Sequence, residues 1–399
     1  MSSTTLILGG GFGGIVAANT LRTALPREHR IVLIDRSPTF RVGATKTWIV
    51  VDHPGSRQMD YRRDKLRESG IELIEDTVAR IDPKSREIQL KAGGTLRGDA
   101  VIVALGADYD LGAVPGLVET AQTFYTVEGA IRLRNALADF KGGKIVFLTP
   151  RTPFKCPPAP YEGAMMIHDL LKRKGSLANS QLKLITAEGA PMATAGPEMG
   201  RFVVSLLEER GIAFVPSKKT VRVDPGAKRI VFEDGEEAFD LLIATPPHVA
   251  PAVVREAGLT GPSGWIPVDS KTLEVAGFEG VYAIGDVTVL TLPGRFKPDV
   301  PLVMPKAGVA AEAQGRVVAA RIAAKLLGSK TEAVFDGKAF CFLETGDMHA
   351  VKGNGDFFAM PHPVMEKAVP DMRQYEGKKE WARGWVQEHL GVVDGLLSD

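Results

Sequence analysis

The apolar residues of this chain fall into short unbroken runs separated by stretches of helical period, the alternation expected of buried parallel strands with covering helices. The run TTLILG is followed by a glycine-rich turn, then by IVAANTLRTAL with apolar positions three and four apart, then by RIVLID, which ends at Asp35. These predict strand, helix and strand, a βαβ unit. DKLRESGIELIEDTVARIDPKSREIQL adds a short helix and two strands, DAVIVALGA (Asp99 to Ala107) is another buried strand, and 111–125 reads as a crossover.

The same order returns from Lys144: strand KIVFLT, a proline-rich loop, helix YEGAMMIHDLLKRK and strand LKLITAE, then RFVVSLLEERGIAFV and the hairpin-like RIVFEDGEEAFDLLIATPP. GFEGVYAIGDVT gives a strand ending at Gly285-Asp286, and PKAGVAAEAQGRVVAARIAAKLLG a small-residue helix. Strands around FCFLETG and HAVKGNGDFF and a helix EWARGWVQEHLGVVDGLL close the chain. The pattern predicts an α/β protein with two Rossmann-like dinucleotide-binding domains plus a small α+β C-terminal unit. Their expected extents are 1–110 with 264–330, 111–263, and 331–399.

Charge and composition narrow the chemistry. Lys and Arg number 49 against 48 Asp and Glu, so no broad positive field favours nucleic acid, and small-molecule chemistry is the default. The first core strand begins within a few residues of Met1, leaving no room for an export segment, and no apolar run approaches the ~20 residues of a membrane span. A cytoplasmic protein with at most peripheral membrane contact is expected. No GxSxG, GxxxxGK[ST], HExxH or CxxC occurs and the seven His are scattered, so no metal site is expected. His248 in ATPPHVAP reads as a structural imidazole near a strand end.

Gly9, Gly11 and Gly14 form GxGxxG at the first strand-to-helix junction, with Asp35 at the end of the next strand where it can accept from a ribose hydroxyl. Gly11 lets backbone approach a pyrophosphate at a helix N-terminus. At the corresponding second junction, TPRTPFKCPPAP contains no glycine, and its prolines remove the N–H donors a pyrophosphate needs. A nicotinamide dinucleotide is poorly served there. Glu188, where a ribose acceptor would sit, is read as a surface or capping carboxylate.

The order GxGxxG, VIVALGA, VYAIGD and MPKAG resembles the FAD framework of the two-dinucleotide-binding flavoproteins. FKCPPAPYEGA with DGKAFCFLETG is similar to sulfide:quinone oxidoreductases and to the flavoprotein subunit of flavocytochrome c sulfide dehydrogenase, over essentially the whole chain. By that resemblance Gly9, Gly11, Gly14 and Asp35 hold the ADP half of FAD, Val78 presents backbone to the adenine, and Gly106 and Gly285 belong to the same framework. Asp286 binds toward the ribityl chain, and Lys306 with the helix it begins faces the pyrimidine end of the flavin. The resemblance also implies that Cys156 and Cys341, the only cysteines, form a redox disulfide. Hydrosulfide attacks it, leaving a persulfide and a thiolate that passes two electrons to the flavin. Lys306 and the flavin are expected to depress the thiol pKa, and Glu162 to accept or donate the proton.

Two family features are missing: a third cysteine, which leaves the sulfur product open, and a first-domain cysteine for covalent attachment, so FAD is expected to be non-covalent. The expected donor is sulfide or a small sulfur compound. The expected acceptor is a quinone at the inner membrane face, in a slot formed by Phe357, Phe358 and Pro361 with Pro301 and Leu302 opposite. The tail helix, with Trp381, Trp385, Val392 and Leu396 beside Lys378, Lys379 and Arg383, is read either as an interfacial anchor or as docked onto the body or a second copy of the chain. A type II NADH:quinone oxidoreductase, a flavoprotein redox sensor and a sulfide dehydrogenase with a cytochrome acceptor are the competing readings.

Overall fold

A computed structural model describes residues 2–56 and 59–392; Leu396 of the tail lies outside them. The first apolar run becomes strand Thr4–Leu8 at the centre of a five-stranded parallel sheet ordered Val281–Ala283, Ala100–Val103, Thr4–Leu8, Arg30–Asp35 and Glu72–Glu75. Parallel strands covered on both faces need apolar side chains on both, which is why LIL and VLI read as unbroken runs. Helices Phe12–Ala24 and Gly308–Leu326 lie together on one face. Glycines permit that approach: a Cβ on Gly315 would stand 2.5 Å from the Gly13 carbonyl oxygen.

The second half repeats the plan. Ala213–Val215, Ser180–Thr186, Gly143–Thr149 and Leu241–Ala244 form a four-stranded parallel sheet, with helices Val127–Asp139, Ala159–Arg173 and Pro197–Glu208 around it. Each half also carries a three-stranded antiparallel meander, at 78–97 and 220–238. The expected pair of Rossmann-like units is therefore observed.

Lys338–Gly346, His349–Asp356 and Val364–Lys367 form a three-stranded antiparallel sheet, followed by helix Met372–Leu390. That helix starts two turns before the predicted Glu380, because Asp371 caps it by accepting from the Arg373 N–H at 2.9 Å. It docks onto the body: Trp385 packs on Phe12 and Phe40 with ring centroids 4.6 and 4.5 Å apart, and its indole N–H donates to Glu312 at 2.9 Å. Of the two readings of the tail helix, docking is the one observed for Trp381 and Trp385. Among the described residues no helix is long and apolar enough to cross a membrane.

Candidate active site

One large cavity, about 870 Å³, runs from the first glycine turn to the two cysteines and is lined by all three parts of the chain. At one end are Gly9, Gly10, Gly11 and Asp35. Gly9 has φ +106°, and a Cβ there would lie 2.3 Å from the Ala104 carbonyl oxygen; one on Gly14 would lie 1.9 Å from the Gly9 oxygen. These two positions are closed to any side chain, whereas a Cβ on Gly11 meets nothing within 4 Å and would project into the cavity. Asp35 accepts from Gly10 N–H at 2.6 Å and Ser37 N–H at 2.8 Å. Arg63, buried and given no role by the sequence reading, fastens the turn by donating to the Gly10 and Ser37 carbonyls.

Val78, Gly106 and Asp286 line the middle of the cavity. Asp286 Oδ1 is buried without a hydrogen-bond partner among the described residues, the state of a carboxylate shaped for a hydroxyl donor. Gly285 and Gly14 do not line the cavity; Gly285 instead donates to Gln314 Oε1 at 2.7 Å. Ala307, Gly308 and Val309, at the N-terminus of the long helix, do line it. An open phosphate cradle, an orphaned carboxylate oxygen and a helix N-terminus fit FAD: Gly9 to Gly11 and Asp35 for its ADP half, Asp286 toward the ribityl chain, and the 307–309 backbone toward the ring.

Cys156 and Cys341 reach the same cavity from different units, and both are free thiols. The proline-rich loop holds Cys156 at φ +58°, with its N–H donating to the Lys306 carbonyl at 2.8 Å. Cys341 sits on strand Lys338–Gly346, opposite Gly353. Both thiols are pushed up to about 12, by burial first and by the Glu162 carboxylate second. The expectation that Lys306 depresses them is not met. Its ammonium is turned away, donating to the Asp286 and Thr288 carbonyls at 2.6 and 2.9 Å and lying 3.5 Å from the Trp265 ring centroid.

The cations that do face the thiols were missed. Lys378, read from the sequence only as a lysine of a tail helix that is either an interfacial anchor or docked, is 1% exposed. It donates to Glu162 at 3.2 Å and also to Glu344. Glu344 further accepts from the Trp48 indole N–H at 2.6 Å, and Glu162 accepts from Thr47 Oγ1 at 3.1 Å and the Glu344 N–H at 3.0 Å. Two carboxyl groups share one ammonium. Burial alone would depress Lys378, but its two acidic partners hold it above the ordinary lysine range, while burial raises Glu162 against the pull of Lys378. The sequence did carry a signal: Lys378 lies at i, i+4 and i+7 with Ala382 and Trp385, a lysine inside the apolar stripe.

Near the thiols the cavity wall is aromatic, with Phe340, Phe342 and Trp381. Phe357 and Phe358 are elsewhere: Phe357 is core, and Phe358 packs edge-on against Phe335 at 5.5 Å. The slot expected at those two residues is not formed: both lie in the turn after strand His349–Asp356 and pack into the core that includes Phe335, and neither lines the cavity. Glu188 is also not a surface group. Its Oε2 accepts from the buried Tyr161 hydroxyl at 2.5 Å, and burial raises it to about 7. His248 donates its Nδ1–H to the Pro246 carbonyl, 2.7 Å away, and burial lowers it to about 3, the structural imidazole expected.

Comparison with known proteins agrees with this framework. Residues 3–147 match the pyridine nucleotide-disulphide oxidoreductase family, and residues 131–242 match the central part of the flavocytochrome c sulfide dehydrogenase flavoprotein chain. The mouse mitochondrial sulfide:quinone oxidoreductase is 26% identical over 371 residues, covering 89% of this chain and 78% of that one. The sulfide-quinone reductase of Aquifex aeolicus is 24% identical over 400 residues, covering 94% and 88%. The crystal structure of the Aquifex aeolicus sulfide:quinone oxidoreductase superposes with a TM-score of 0.87 at 22% identity, over 98% of this chain and 92% of that one. The resemblance read from the motifs holds: the chain is a flavin-dependent oxidoreductase related to the sulfide:quinone oxidoreductases and the flavocytochrome c flavoprotein.

Proposed function

We propose that the protein oxidises sulfide and passes the electrons through non-covalently bound FAD to a quinone, with Cys156 and Cys341 as the sulfur relay. The observation that carries this reading is the meeting of the only two cysteines, from distant parts of the chain, in the wall of the cavity that fits FAD.

In the oxidised relay, hydrosulfide attacks one sulfur of the Cys156–Cys341 disulfide. A new S–S bond forms as the old one breaks, leaving a persulfide on one cysteine and a thiolate on the other. FAD held in the cavity that both thiols line would supply the two-electron acceptor. Transfer of the persulfide sulfur to a second sulfide, with loss of two electrons, restores the disulfide and releases a polysulfide. The quinone takes up those electrons and two protons. Phe340, Phe342 and Trp381 provide a ring-shaped apolar wall for it, and the Glu162–Lys378 pair beside them holds protons out of contact with bulk water.

Nicotinamide is disfavoured as donor by the spent second loop. Sulfide mixed with the FAD-loaded protein and decylubiquinone should bleach and then restore the flavin absorbance, with NADH at least about a hundredfold slower. Cys156→Ser or Cys341→Ser should abolish the sulfide-dependent phase. Flavin reduction by sulfide at near-normal rate in both serine variants rejects the relay.

A further inference from the structure

Glu162, Glu344 and Lys378 are all buried, so the trio has one carboxyl group more than its cation can neutralise. Which of the two carboxyl groups can take up a proton is decided by what surrounds each oxygen. The side-chain partners of Glu344 are the Trp48 indole N–H, at 2.6 Å, and Lys378, both on Oε1, and neither can accept a hydrogen bond. A proton on that oxygen would displace both. Glu162 differs at one contact. Its Oε2 accepts from the Glu344 N–H at 3.0 Å, and its Oε1 accepts from Lys378 at 3.2 Å and from Thr47 Oγ1 at 3.1 Å. An amide N–H and an ammonium only donate, whereas a hydroxyl turns about its C–O bond and accepts as readily as it donates. Among the described residues, Thr47 is the one hydrogen-bond partner of either side chain that suits both the ionised and the protonated carboxyl group.

We propose that Thr47 is a positioning residue that lets Glu162 Oε1 take and return a proton, while Trp48 and Lys378 keep Glu344 ionised. With Glu162 ionised, Thr47 donates to Oε1 and Lys378 spans both carboxylates. With Glu162 protonated, the new O–H donates to Thr47 Oγ1, the carbonyl oxygen Oε2 keeps the Glu344 N–H, and Lys378 pairs with Glu344 alone, toward which it already lies closer. Attack of hydrosulfide on the disulfide leaves a persulfide S–H in the cavity that Thr47, Glu162, Cys156 and Cys341 line together. One S–H bond breaks as one O–H bond forms at Glu162, and no electrons are transferred in the step. The charged and titratable groups facing Glu162 are Lys378, Glu344 and the two thiols. Burial favours its protonated state and Lys378 the ionised one, so the two states are opposed by forces of opposite sign. The use of this exchange in turnover rests on the sulfide reading above; the exchange itself does not.

Infrared difference spectra of the FAD-loaded protein, taken as pH is lowered, report a protonated carboxyl group by its C=O stretch, which moves to higher frequency when the acid hydrogen lacks an acceptor. Wild type should show an acid band that is absent from Glu162→Gln. Thr47→Val keeps the side-chain shape without the hydroxyl and should show the band at higher frequency, while Thr47→Ser should return it to the wild-type position. Flavin reduction by sulfide should slow about tenfold in Thr47→Val, the effect of one unsatisfied buried donor, and recover in Thr47→Ser. No acid band at any pH where wild type stays folded, or a band unmoved in Thr47→Val, overturns the proposal. Should Thr47→Val fail to fold, an unmoved band in Thr47→Ala overturns it. If the band moves as stated while sulfide leaves the wild-type flavin oxidised, the sulfide reading falls and the exchange stands.

Discussion

The two halves of the molecule share one plan and use its corresponding points in opposite ways. At the first strand-to-helix junction glycines leave the backbone open and Asp35, at the end of the next strand, lines the cavity. At the second, Pro150, Pro153, Pro157, Pro158 and Pro160 offer no N–H, the Cys156 N–H is bound to Lys306, and the matching carboxylate, Glu188, is taken up by Tyr161. One junction is left open as a phosphate would require. The other has filled that position with its own side chains and turned a thiol toward the ligand of the first. A repeated fold thus fixes where strand ends meet a cavity, and loop chemistry decides what is done there.

The comparison can be broken at the first junction. Gly11→Val puts a branched side chain into the open cradle, and flavin bound after purification, read by absorbance, should fall at least about tenfold while the fold persists. Full flavin occupancy in this variant would mean the cradle does not hold the pyrophosphate. At the second junction, helix Ala159–Arg173 presents Glu162 where a phosphate would otherwise approach, and Lys378 neutralises it. Lys378→Met leaves two buried carboxyl groups without their cation and should cost about 3–5 kcal/mol in urea unfolding; adding Glu162→Gln and Glu344→Gln should recover most of it.

The smallest effect separates Asp35 from Glu188. The folded state raises Glu188 from 4.5 to about 7, so it binds that proton more tightly than the unfolded chain does. Its stabilising contribution is complete below the unfolded value and fades as pH rises through about 7. The melting temperature should carry a fall between about pH 4.5 and pH 7 that is missing in Glu188→Gln. An identical pH dependence in both proteins would return Glu188 to the surface role read from the sequence.

The parts legible in the sequence are those set by short-range rules. The apolar runs gave most of the parallel strands to within about two residues, although the one expected over Asp99 to Ala107 ends at Val103, and the glycine spacing located the cradle, because helix and turn geometry act over a few residues. Cys156 and Cys341 were legible as a pair only through resemblance. The segment between Asp35 and Tyr61 was not legible. Its short helix Lys46–Val50 lacks a long period, yet it supplies Lys46, Thr47 and Trp48 to the site. Lys378 was not legible for a different reason: tryptophans beside lysines suit a membrane interface as well as a docked helix, and only tertiary packing reveals that the ammonium points inward onto two carboxylates from other elements.

Phe12, the residue that follows the phosphate turn, is covered by Trp381 in a near-parallel stack, 6.0 Å between ring centroids, and by Trp385. The wall of the nucleotide seat is thus finished by side chains made more than three hundred positions later. The opening βαβ unit forms from contacts close in sequence, but this wall closes only when helix Met372–Leu390 has folded back onto it, so the seat depends on one of the longest-range contacts of the fold.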